Sequence, residues 1–239
     1  MRRMVLRLAL VVLMVVTVVM TAAAAQERAP DPKTPQGKNL EVPVGWIVRP
    51  DIAGKPVIGK DKSADILFVN MTPGWHVTTG PAAILYHPSS IGRGNYRLSA
   101  KVHFFAPEPG HLEGYGVFFG GTELAGADQA YGYFLLRNDG AFLIKKRHGE
   151  TTELVRDWTP SDAVVVLKPA PGVDSVVNTL AVEARADSVV FSINGREVAT
   201  VPRSALPVDG VAGLRINHHV NVHVADLSLT PLGGVAGPR

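Results

Sequence analysis

The sequence predicts an all-β chain folded as a two-sheet antiparallel β-sandwich. Three observations predict it. Apolar and polar residues alternate through short segments rich in β-branched and aromatic residues. Gly, Pro, Asn and Asp interrupt those segments at short intervals, and Asn138-Asp139-Gly140 and Asn194-Gly195 carry hairpin chemistry. No run of ten residues shows a convincing apolar stripe at helical spacing; the best one, 120–129, holds Gly120, Gly121 and Gly126 and reads as a loop. With 46% hydrophobic and 19% charged residues the chain is a folding one, and with no cysteine its fold rests on a packed core alone.

Taken in order, residues 1–25 read as a secretory signal peptide. Arg2, Arg3 and Arg7 precede an apolar run over 8–20 broken only by Thr17, and Ala23 and Ala25 supply small residues for cleavage after Ala25. Residues 26–40 (from QERAPDPKTPQGK onward) form a Pro-rich linker with little to bury. The β-sandwich domain covers 41–232, and 233–239 is a flexible Gly/Pro tail. Within the domain, strands are expected at 66–70, 75–79, 83–87, 96–105, 115–119, 131–137, 141–147, 153–157, 164–167, 178–185, 189–193, 197–201, 213–217 and 221–229. In 96–105 the even residues are apolar and the odd ones polar, so that strand has one wet face. Segments 131–137 and 189–193 are apolar on both faces and belong centrally or under another layer.

Charge excludes one class of partner. The whole chain is formally +3, but the signal holds three Arg and no acid. Taking 3 from 24 basic residues leaves 21 against 21 acidic ones, a neutral mature chain. The densest cationic run, Lys145-Lys146-Arg147-His148, is short and strand-like, so no nucleic-acid partner is expected. No stable membrane insertion is expected once the signal is removed, and the localisation read from it is periplasmic or extracellular.

The ordered series Tyr133-Phe134-Leu135-Leu136-Arg137-Asn138-Asp139-Gly140, Phe142-Leu143-Ile144-Lys145, Asn178-Thr179-Leu180-Ala181-Val182 and Val190-Phe191-Ser192-Ile193-Asn194-Gly195 resembles the concanavalin A-like jelly-roll domains of bacterial exported proteins. Within that group the series resembles the laminin-G-like and 3-keto-disaccharide hydrolase-like domains. Gly213-Leu214-Arg215 and Val224-Ala225-Asp226-Leu227 are similar to their closing strands. The resemblance implies a sandwich with a concave sheet that often binds glycans, and no particular chemistry. It also implies calcium as a common ligand; the loop 122–129 offers Glu123, Asp128 and backbone carbonyls for it but no Asp-x-Asp-Gly pattern, and no cofactor is expected.

Motifs for chemistry are sparse. There is no Glu-x-Asp-x-x-Glu strand, no Gly-x-Ser-x-Gly and no His-Glu-x-x-His. Glu113 and Asp128 bracket the 115–119 strand and could meet at one end of the sandwich as an acid/base pair. Asn217, His219, Asn221 and His223 share one face if 217–224 is a continuous strand, a stripe suited to sugar hydroxyls or to a two-His metal site. A turn at 218–220 would instead bring the two Asn together, and a plain wet face is the third reading. Trp75-His76 and Trp158 lie beside turns, where rings either stack on sugars or cap the core. Tyr133, Leu135, Arg137, Leu143, Lys145 and Arg147 fall on the face opposite Phe134, Leu136, Phe142 and Ile144, and His223 is expected to join them. The ligand-binding residues expected are therefore Trp75, His76, Tyr133, Arg137, Lys145, Trp158, Asn217, His219, Asn221 and His223, with no metal among them and no catalytic residue identified.

The function these residues point to is a non-catalytic exported module binding a carbohydrate or small polar ligand. A glycoside-processing hydrolase of the same fold and a structural cell-envelope protein are the alternatives. Export makes a direct prediction: intact-mass measurement of secreted or periplasmic protein should begin at Gln26. Recovery of Met1 in the membrane fraction would identify a retained anchor.

Overall fold

The computed structural model describes Pro35 and residues 40–233 apart from 62, 108, 109 and 169. The export signal, nearly all of the linker and the tail beyond 233 lie outside the described residues. Strands follow one another as β1 (Ile47–Pro50), β2 (Ile58–Gly59), β3 (Ile66–Asn70), β4 (Trp75–Thr79), β5 (Ala83–Tyr86), β6 (Ile91–Gly92), β7 (Tyr96–Phe105) and β8 (Tyr115–Thr122). They continue as β9 (Ala130–Arg137), β10 (Ala141–His148), β11 (Thr151–Pro160), β12 (Ser175–Ala184), β13 (Ser188–Ile193), β14 (Arg196–Pro202), β15 (Gly210–Ile216) and β16 (Asn221–Pro231). One short 3₁₀ turn, Arg203–Ala205, is the helical content among the described residues. None of these is a helix long and apolar enough to cross a membrane.

The strands form two stacked sheets. The first runs β1-β5-β15-β8-β9-β10-β11, with β6 also on β15; the second runs β14-β13-β12-β7-β16-β4-β3-β2. Every pairing is antiparallel except β2 with β3. Consecutive strands β15 and β16 belong to different sheets, so the chain crosses the sandwich between them. Chain alternation sets the core. Tyr96, Leu98, Ala100, Val102 and Phe104 of β7 point between the sheets and meet Phe134, Leu136, Phe142 and Ile144 of β9 and β10. Arg97, Ser99, Lys101 and His103 face outward, as the alternation predicts.

Turn chemistry fixes the hairpins. Asn194 and Gly195 both take positive φ (51° and 81°), the two-residue turn that matches strand twist between β13 and β14. The 138–140 loop closes β9 onto β10 with Gly140 at φ 85°, Gly140 N–H donating to Arg137 O at 3.1 Å and Ala141 paired with Arg137.

One expected strand does not pair. The segment 164–167 is extended, and its buried Val164 and Leu167 plug one end of the core, but it joins no sheet. Asparagine side chains replace the ladder. Asn178, fully buried, accepts from Val165 N–H and donates to Val165 O, both at 2.9 Å, and donates to the Tyr115 hydroxyl at 3.0 Å. Asn138 Oδ1 accepts from Leu167 N–H at 2.8 Å, and Asn194 Nδ2 donates to Ala163 O at 2.8 Å. A carboxamide presents a donor and an acceptor side by side, so it mimics one rung of a β-ladder.

Asn178→Ala removes that rung and leaves the Tyr115 hydroxyl and both Val165 backbone groups without this partner. Urea unfolding should show a loss of about 2–4 kcal/mol at unchanged m-value. A loss below about 0.5 kcal/mol would show that the end plug is held by its apolar side chains alone.

Candidate functional site

The first sheet is apolar on both faces. Behind the main core, its outer face carries a second buried cluster: Ile84 and Tyr86 from β5, Phe118 from β8, Tyr131, Tyr133 and Leu135 from β9 and Leu143 from β10, with Leu124 from the following loop. In register, Phe118 stands opposite Tyr133 and Tyr133 opposite Lys145. Glycine lets the rings approach β15. A Cβ at Gly213 would stand 2.8 Å from the Phe118 ring and 2.9 Å from Tyr86 Cβ.

Polar groups roof this aromatic floor. Arg215, on the outer side of β15 between core residues Leu214 and Ile216, donates to both carboxylate oxygens of Asp51, at 2.8 and 2.6 Å. Arg147 of β10 donates to the same carboxylate at 3.3 Å and to Gly149 O at 3.3 Å. Each guanidinium lies over a ring, Arg147 at 5.9 Å from the Tyr131 centroid and Arg215 at 5.8 Å from that of Tyr133. Arg49 of β1 hydrogen bonds to the Gln129 carbonyl oxygen and, at 3.1 Å, to Gly126 O. Three polar atoms in this layer are buried without a hydrogen-bond partner: the Tyr131 hydroxyl, Arg147 Nε and Arg215 Nε.

Burial alone would lower the Arg215 pKa. The hydrogen bonds it donates to Asp51 reverse that and hold it above the ordinary guanidinium value. Burial raises the Tyr131 and Tyr133 hydroxyls, and Arg215 offsets part of the shift. Both phenols therefore stay neutral donors at physiological pH.

Farther along the face stand residues that the sequence singled out. Trp158 sits where β10 and β11 slip register between Phe142 and Lys145. Its ring covers Gly114, where a Cβ would stand 3.1 Å from both Trp158 Cη2 and Leu135 Cδ1. The Arg137 guanidinium lies 4.3 Å from the Trp158 centroid and donates from Nε to Asp139 Oδ1 at 3.0 Å. Tyr133, Arg137, Lys145 and Trp158 thus share one sheet face.

The remaining expected residues are elsewhere. His223 lies on β16 of the second sheet and cannot join that face; the crossing after β15 carries it to the opposite side of the sandwich. Residues 217–224 are not one strand. A turn at His218 and His219, with His219 at φ 53°, separates β15 from β16, so Asn217, His219, Asn221 and His223 form no single stripe. Nor does the turn make a hairpin, because its two strands enter different sheets. Asn217 donates to Glu113 Oε2 at 2.9 Å, and the His219 ring is 5.8 Å from that of His111. Trp75 points inward and packs on Trp46 at 4.8 Å, a core-capping position.

His76 and His223 do come together, with a histidine the sequence reading passed over. His76, His223 and His103 are register partners across β4, β16 and β7 on the outer face of the second sheet. Asn221 adjoins them through Thr78, whose hydroxyl lies 3.4 Å from both Asn221 Oδ1 and His76 Nε2. His76 is buried and stacks on Phe105 at 5.7 Å. Among the described residues no three His, Cys, Asp or Glu side chains are placed to hold a metal ion.

Glu113 and Asp128 do not meet. One precedes β8 and the other follows it, so eight strand residues set them roughly 25 Å apart, too far to flank one glycosidic bond. In the 122–129 loop considered for calcium, the Gly126 carbonyl accepts from Arg49. The face residues missed from the sequence are Arg49, Asp51, Gln129 and Arg215. Only Arg215 left a signal, a polar residue alternating with Leu214 and Ile216.

Comparison with known proteins settles the architecture. No family model matches the chain, and no curated protein matches it. Among solved structures it is similar to the carbohydrate-binding module CBM66 from Bacillus subtilis, at 11% identity and a TM-score of 0.54, over 80% of this chain and 96% of that one. It is likewise similar to a Bacillus subtilis protein of unknown function with a galectin-like fold, at 11% identity and a TM-score of 0.52, over 78% of this chain and 89% of that one. The chain has the two-sheet antiparallel β-sandwich fold of these structures.

The histidine row makes a pH prediction. Burial lowers the His103 pKa, with Lys101 adding to it; burial also lowers His223, with His103 adding and a Trp75 backbone hydrogen bond opposing. Both fall below the ordinary 6.5, so the folded state prefers them neutral and the unfolded chain takes up protons first. Their stabilising contribution is complete above 6.5 and is lost as pH falls through their folded values. Asp139 and Glu183, held low by Arg137 and Arg185, act only below the carboxylate range. Thermal melting should therefore show Tm falling between pH 7 and pH 5, with a shallower fall in the His103→Gln, His223→Gln double variant. Equal slopes would remove the row from the acid response.

Proposed function

We propose that this chain is an exported, non-catalytic carbohydrate-binding module that takes its ligand on the outer face of the first sheet. The observation that carries this is the partly exposed Trp158 ring with the Arg137 guanidinium, set at the edge of a buried aromatic layer of Phe118, Tyr131 and Tyr133 on the outer face of the first sheet. A sheet face needed only for solubility is polar; this one joins ring faces with fixed donors. Ring faces cover the C–H surface of a pyranose, and directed donors select its hydroxyl oxygens. The likeness to a structure described as a carbohydrate-binding module supports the reading, and so does the leader-like order of residues 1–25.

Trp158 is the partly exposed ring of the set. A glycan array with the mature protein should identify binders. Trp158→Ala should then weaken the best of them about tenfold or more, with Tm shifted by only a few degrees. An array without binders, or a Trp158→Ala variant that binds as tightly as the parent, would refute the proposal.

A further inference from the structure

The arrangement around Asp51 narrows the ligand. Arg215 grips that carboxylate through two parallel N–H···O bonds, the geometry of a planar two-oxygen acceptor. Arg147 reaches the same oxygen that Arg215 Nη2 uses. Arg49 and Lys145 stand on the same face, and among the described residues neither pairs with a carboxylate. Two guanidinium groups thus share one acid, with two further cations on the same sheet face. Beneath it, the Tyr131 hydroxyl, Arg147 Nε and Arg215 Nε are buried without partners, with Tyr131 fully buried and Arg215 only 6% exposed. Buried donors in surplus over acceptors describe a seat for an oxygen-rich anion.

Asp51 reaches that seat from the end of β1. Its backbone N–H donates to Ala82 O at 2.8 Å, which anchors the main chain at the end of β1. Its side chain is 19% exposed, and residues 52–55 that follow are exposed, Ile52 by 55%.

We propose that the ligand is an acidic saccharide whose uronate carboxylate replaces that of Asp51 between Arg215 and Arg147. Asp51 is then a built-in competitor that holds the arginines in place until ligand arrives. The inference rests on the carbohydrate reading above and adds the charge of the sugar and the identity of the group it displaces. No bond is made or broken; one carboxylate exchanges for another, so the count of charge-assisted hydrogen bonds is kept. Trp158, Arg137 and Lys145 continue the face for neighbouring sugar units.

Isothermal titration with trigalacturonate and with its carboxyl-reduced neutral counterpart tests this at low salt. The parent protein should bind the acidic trisaccharide at least about tenfold more tightly, with the difference shrinking as salt rises. Asp51→Asn should bind trigalacturonate about tenfold more tightly again, and its lowered Tm should recover with the acidic sugar and not the neutral one. Arg147→Gln should weaken the acidic sugar by more than the neutral one, an arm that remains if Asp51→Asn does not fold. Asp51→Asn binding no better than the parent, or Arg147→Gln weakening both sugars alike, would overturn the displacement. Equal parent affinity for the two sugars would overturn the acidic ligand and leave carbohydrate binding standing. Binding of neither sugar, with an array also empty, would remove both readings.

Discussion

A guanidinium buried on the outer side of a sheet is the constraint on which this face depends. Arg215 retains 8% of its side-chain surface. An unpaired ion in that position would cost several kcal/mol. The fold meets the cost from three directions. β1 pairs at the edge of β5 and brings Asp51 over the sheet; β10 contributes Arg147 to share the carboxylate; β9 places Tyr131 and Tyr133 beneath. β1 has few inward apolar contacts of its own, and its partly exposed residues make it an edge that charge, as much as packing, keeps in register. Remove the carboxylate and two arginines repel across an aromatic floor; remove Arg215 and Asp51 loses both of its shortest contacts.

The same constraint explains why the first sheet has two apolar layers. A sandwich needs one inward face per sheet. Here β8, β9 and β10 are buried on both, and the second layer has no further sheet to cover it. Its cover is polar: arginines lie on the rings with their charged ends turned toward one acid and toward backbone carbonyls. Such a cover differs from a third layer of apolar side chains in that it can exchange partners. An apolar lid would have to leave entirely to admit a ligand, whereas a carboxylate can be replaced by another with little change in what the arginines feel.

What was legible in the sequence follows what local chemistry can report. Long alternating segments and hairpin turns read correctly, and β4 and β7 match to the residue because their ends carry their own signals in Pro73-Gly74 and Gly94-Asn95. β1, β2 and β6 escaped, being two to four residues long and without alternation. The 164–167 segment has a strand's composition, and what denies it a strand's place is Asn178, a residue whose side chain takes the ladder bonds of Val165 from thirteen positions away. Nothing local announces that. The outward face of β9 and β10 was readable from period two, since each residue there is committed by its neighbour. The histidine stripe was not, because a two-residue turn sends the chain from one sheet to the other, and alternation cannot be counted across such a crossing.

Asp51 and Arg215 are 164 residues apart, which is the general reason a site of this type hides from a sequence. Each of its charged members is unremarkable alone: Asp51 begins an exposed loop, Arg49 is on a short edge strand, and Arg147 belongs to a basic run that resembles a solvated surface. Antiparallel pairing makes them neighbours, since β15 docks on β5 and β5 on β1, so that Arg215, Ile84 and Arg49 fall in one row across three strands. The row is polar at both ends and apolar in the middle. That pattern spaces two guanidinium groups across an apolar gap while a single acid serves one of them, and the resulting excess of donors is a property of the sheet, present in no segment of the chain.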